Sequence, residues 1–134
     1  MINVEAEIFT AVATQLRAQF PKIFVTGEYV PAPSSFPCVS IVEIDNATYQ
    51  QGQTQASADV FVAVTYEVNV YSNKKTGKKT ECKNIAAAID EIMLDMNFTR
   101  SMLEPIQNMA DATIYRMLGR YRAVVDQNHT VYRR

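Results

Sequence analysis

The residues best placed to do chemistry lie in the stretch VNVYSNKKTGKKTECKNI, residues 68–85, where an apolar run gives way to a lysine-rich turn and then to a helical pattern. A strand, a glycine-containing loop and a helix are the setting of a phosphate-binding loop of the G-x-x-x-x-G-K-[ST] type. There the glycines permit the tight turn, backbone amides cradle phosphate, the lysine reaches the outer phosphates and the hydroxyl holds magnesium. Gly77 and Lys78 fit, but Ser72 stands at the first glycine position and Lys79 at the hydroxyl position. Two of the four fixed positions fail. The turn therefore reads as a solvated basic connection, with Gly77 as its punctuation.

Other catalytic schemes find fewer parts. The single histidine, His129, lies in a polar stretch with no companion for a metal set or a nucleophile–base pair. Asp90, Glu91 and Asp95 fall on the polar side of the second helical segment, where carboxylates serve solubility. Cys38 and Cys82 each sit in apolar surroundings and read as buried free thiols. The expectation is a protein that is not an enzyme and holds no cofactor or metal.

Positioning elements follow from periodicity. Ile8, Phe9, Val12, Ala13, Leu16 and Phe20 recur at three and four, the period of an amphipathic helix that Asn3 can cap and Pro21 ends. Short strands are expected in KIFVTG and in CVSIVEI, residues 38–44, with the Pro-rich 30–37 as a loop between them. In residues 60–71, Val62, Val64, Tyr66, Val68 and Val70 share one face of a strand, and Thr65, Glu67 and Asn69 the other. Cys82, Ile85, Ile89, Ile92 and Met96 form the apolar stripe of a helix over 78–96. A strand over 112–125 turns Tyr115, Met117, Gly119, Tyr121 and Ala123 one way and Arg116, Leu118, Arg120 and Arg122 the other; FTRSML and TVYR add short strands.

These elements predict a single α/β (α+β) domain over 1–134. It is a two-layer sandwich with two amphipathic helices on one face of a mixed, largely antiparallel sheet of four to six strands. The 46–58 segment, NATYQQGQTQASA, is the least periodic part and reads as a long polar loop, longer than a hairpin needs. If the two long strands pair, Glu67 faces an arginine.

Composition narrows the class further. With 48% hydrophobic and 20% charged residues the chain is globular rather than disordered, and no apolar run is long enough to span a membrane. MINVEAEIF lacks the basic start of a secretory leader, so synthesis in the cytoplasm is expected. A formal net charge of −1 gives no general drive toward nucleic acid. Residues 1–70 carry two basic and seven acidic side chains and residues 71–134 eleven and seven, a dipole in sequence that could align neighbouring copies head to tail.

Taken together, INVEAEIFTAVATQLRAQFP, GEYVPAPSSFPCVSIVEIDN, YEVNVYSNKKTGKKTECKNI and ATIYRMLGRYRAVV resemble the tail terminator, or tail-to-head joining, proteins of tailed bacteriophages. The resemblance covers nearly the whole chain in order. It implies a structural virion protein, assembled in the host cytoplasm, that forms a homo-oligomeric ring, typically a hexamer, on the head-proximal end of the tail. Such a ring stops addition of tail tube protein and offers a surface to the head–tail connector protein, with DNA only as passing cargo. A head-side connector ring is the alternative, and a small host binding module a more distant one. On this reading the candidate assembly residues are Tyr49, Gln50, Gln51 and Gln53 in the polar loop, Lys74, Lys78 and Lys79 in the basic turn, and Glu67, Arg116, Arg120 and Arg122 on the polar sheet face.

Overall fold

A computed structural model describes residues 1–49, 60–107 and 111–133. Helix α1 spans Glu5–Gln19, strand β1 Phe24–Thr26, β2 Cys38–Thr48, β3 Phe61–Ser72, helix α2 Lys78–Asp95, β4 Thr99–Gln107, β5 Tyr115–Asp126 and β6 Val131–Tyr132. The strands form one sheet in the order β1-β2-β3-β5-β4, with β6 paired to β5 beyond β4. Only β1 and β2 run parallel; the other pairings are antiparallel. Helix α2 carries the chain from β3 to β4, and β5 then enters the gap between them. The expected α+β sandwich is the observed fold.

Both helices bury their apolar stripes on one sheet face. Ile8, Val12, Ala13 and Leu16 of α1 and Cys82, Ile85, Ile89 and Ile92 of α2 meet Val62, Val64, Tyr66, Val68 and Val70 of β3 and Met117, Tyr121 and Ala123 of β5. Each of the two large core tyrosines must satisfy its hydroxyl, because an unpaired buried O–H is costly. Tyr66 donates to Glu43 Oε1 at 2.9 Å and Tyr121 to Asp90 Oδ1 at 2.8 Å, and Arg100 holds the same Asp90 oxygen at 2.9 Å. Asp90 is thus a structural anchor and not the free solubilising carboxylate that its helix position suggested. Burial and the adjoining carboxylates push both phenols well above the usual tyrosine range.

Glu43 bears the cost of this arrangement. Desolvation raises its carboxyl above the ordinary value, partly offset by the hydrogen bonds from Tyr66 and Asn46, while the charges of Glu5 and Asp45 raise it further. A carboxyl raised on folding stabilises the fold when protonated, and that contribution fades as pH rises from the ordinary value through the raised one. Glu43→Gln keeps an acceptor for Tyr66 without the charge. The variant is expected to unfold in urea at a higher midpoint than the parent at pH 7, with the difference shrinking toward pH 4; a lower midpoint at pH 7 would contradict this.

Three elements run differently from the sequence reading. Strand β2 continues to Thr48, so Asn46, Ala47 and Thr48 of the expected polar loop pair with Val64, Ala63 and Val62. A bulge at Ile44, between Glu43 and Asp45, shifts the alternation and hides the continuation. Strand β4 reaches Gln107 through Pro105, which is tolerated because β4 is an edge strand. At the other end of the register, the α1 start lies one residue beyond expectation: Val4 flanks it, and Asn3 Oδ1 takes the Glu5 amide at 3.2 Å.

Candidate functional site

The lysine turn closes on itself instead of opening toward a ligand. Ser72, fully buried, donates to Glu81 Oε1 at 2.6 Å and receives the Lys74 amide at 3.3 Å, while Lys74 Nζ lies 3.9 Å from Glu81 Oε2. Gly77 takes a left-handed conformation, φ 84°, at the entry to α2, which explains a glycine at this place in the turn. The residue standing where a phosphate loop needs its first glycine is therefore a buried side chain engaged with a carboxylate. Lys78 opens the helix and Lys79 is exposed one residue on.

The sheet face away from the helices carries the second group. Glu67 stands directly opposite Arg120, whose Nε and Nη2 both reach Glu67 Oε2 at 3.2 Å, as the strand pairing had suggested. Arg116 donates to Asn69 Oδ1 at 2.9 Å, and its guanidinium lies 5.6 Å from the centre of the Tyr71 ring. Arg122 is exposed and forms no ion pair among the described residues. Two of the three arginines are thus already committed within the chain. Charge in this row is less available to a partner than its sequence implied. The Glu67–Arg120 pair is exposed, so a double-mutant cycle on Glu67→Gln and Arg120→Gln, read by urea unfolding, should give a coupling of about 0.2–1 kcal/mol.

This face is also drier than its sequence suggests at one end. Asn69 is 1% exposed, Ser40 opposite it is fully buried, and Tyr71 is 1% exposed although it points away from the helices. The Tyr71 hydroxyl donates to Val30 O at 3.0 Å, so the proline-rich segment between β1 and β2 lies over this end of the sheet. Expected wet positions, Asn69 above all, are covered for that reason. Ser40 Oγ is buried there without a hydrogen-bond partner among the described residues.

The third group lies at the opposite end. Tyr49, half-buried at the close of β2, donates its amide to Phe61 O at 3.0 Å and so holds the mouth of the β2–β3 connection. Gln50, Gln51 and Gln53 lie outside the described residues. Strand β3 joins the two ends: at about 3.3 Å per residue its twelve residues separate Phe61 from Ser72 by about 36 Å.

Lysines collect at the Ser72 end of this axis, drawn from both halves of the sequence. Lys22 shares a cleft with Lys74 and Glu81, and Phe20 at the end of α1 borders Gly77 and Thr80 at the start of α2. The lysines of the turn therefore gain Lys22 from the acidic half of the chain. At the far end, His129 Nδ1 lies 2.6 Å from Glu7 Oε1, and Arg133 donates to Leu94 O at the close of α2 at 2.8 Å, bringing the start of α1 beside the end of α2. Acid and base therefore stand together at that end, Glu7 against His129 and Arg133 over the close of α2. Sequence reasoning missed Lys22 because only the tertiary course of α1 and β1 brings it within reach of a turn some fifty residues later.

No set of three or more metal-ligating side chains occurs among the described residues, and none of the described helices is long and apolar enough to cross a membrane. No family model matches the chain, and no curated protein matches it.

Proposed function

We propose that the chain is a structural virion protein that caps a phage tail tube, assembling with further copies into a ring on its head-proximal end. The sequence resemblance supplies the family. The observation that carries the reading on the structure is the chemical inequality of the two ends of β3: lysines collect at the Ser72 end, while the other end, about 36 Å away, sets Glu7 against His129. Copies standing side by side would form a ring with two unlike faces. A growing tube ends when a subunit copies the docking surface beneath it but presents a different surface above, and unlike faces meet that requirement.

Deleting the reading frame and imaging particles by negative-stain electron microscopy tests this directly. Headless tails of abnormal, variable length are expected. Filled heads beside free tails of normal length would move the protein to the head-side connector ring. Within the same reading, Lys78→Glu with Lys79→Glu is expected to weaken ring formation at physiological salt. Unchanged assembly by electron microscopy would remove these lysines from the contact.

A further inference from the structure

We infer that the cleft between the end of α1 and the lysine turn is a docking site for an acidic segment of a partner protein that carries an apolar side chain. Its floor is apolar: Phe20, Pro21, Ile23 and Pro37 line an open cleft of ≈ 470 Å³. Lys22 and Lys74 stand on its walls, and Lys75, Lys78 and Lys79 crowd the adjoining turn. Of these five cations only Lys74 has a carboxylate in ion-pair range among the described residues, and that carboxylate, Glu81, also accepts the buried Ser72 hydroxyl. Like charges held together with few counter-charges, Glu81 at Lys74 and Asp111 acting on Lys78, cost free energy that an acidic partner would recover. The apolar floor adds a place for one hydrophobic anchor, the element that fixes the register of an otherwise electrostatic contact.

The same features disfavour nucleic acid. Phe20 is packed against the core instead of standing free to stack on a base. The site holds whether or not the chain closes into rings, because every group that forms it belongs to one copy.

Fluorescence anisotropy on the full chain tests it. The probe is a short fluorescein-labelled peptide of glutamates and aspartates around a central Leu-Phe pair. Saturable binding is expected, weakened by high salt. Replacing the Leu-Phe pair by serines should weaken it at least about tenfold, the loss expected for one buried apolar anchor. Lys22→Glu with Lys74→Glu should abolish binding. Lys22→Gln with Lys74→Gln should weaken it while circular dichroism stays unchanged, which separates a lost site from a lost fold. Asp95→Asn at the far end should leave affinity as it was.

No binding of the acidic peptide, or equal binding of the serine version, would overturn the inference. Tighter binding of a polythymidine oligonucleotide would do the same in favour of nucleic acid. Self-association in sedimentation velocity that the Lys22/Lys74 reversal breaks would assign the cleft to a second copy instead.

Discussion

Phe98→Ala is expected to cost about 3–5 kcal/mol, a large share of the roughly 5–15 kcal/mol that holds a domain of this size together. Phe98 is fully buried, with its ring edge-on to Tyr66 at 5.5 Å between centroids. It also closes α2. Asn97 adopts φ 69°, its amide bonds to Leu94 O, and the Phe98 amide bonds to Met93 O at 3.0 Å, the pattern of a Schellman stop with its hydrophobic contact between Phe98 and Met93. Alanine removes the core ring and the helix stop's apolar contact together. Equilibrium unfolding in urea should show a midpoint lowered by roughly 1–5 M. A loss below about 1 kcal/mol would mean that the core around Tyr66 closes over the gap.

The second large effect concerns the thiols. Cys38 and Cys82 are fully buried, and burial pushes their thiols up to about 11 and about 12. Cys82 Sγ also lies 3.4 Å from Tyr115 O. Both the low thiolate fraction at neutral pH and the absence of access oppose reaction. A disulfide exchange reagent added to the native protein should therefore modify neither thiol except through opening, at least about a thousandfold more slowly than in urea, where two equivalents should react at once. Fast labelling of one thiol in native buffer would show that its end of the sheet opens independently of the core.

The core was legible because burial imposes a period. The spacing of Cys82, Ile85, Ile89 and Ile92 can only be a helix face, and the run from Val62 to Val70 only a strand with one side buried. What escaped notice lacked that imprint. Residues 46–48 are polar and follow a bulge, so their pairing with β3 leaves no alternating pattern to read. Strand β4 lies at an edge and buries few side chains, so the short strand expected in FTRSML gave no sign of continuing through Pro105 to Gln107. Asp90 looked like one more surface acid, because the hydroxyl and guanidinium it joins come from β5 and β4. The candidate surface was legible only in part: the lysine turn and the Glu67–Arg120 pairing were readable from local chemistry and strand register. The commitment of Arg116 to Tyr71 and Asn69, the cover over Asn69, and the entry of Lys22 into the basic end all depend on segments far apart in the chain.

The two margins of the sheet bear on how the protein behaves when crowded. One margin is β1, only three residues long, continued by the part of β2 beyond Ser40, which the bulge at Ile44 interrupts; the other is β4, bent by an irregularity between Arg100 and Met102 and carrying a proline that has no N–H to offer. Long, flat, unpaired strands are what seed cross-β stacking between chains. With both margins broken by irregularities, concentrated solutions of this protein are poorly equipped to grow amyloid-like fibrils, so contacts among its copies are left to side chains rather than to open backbone.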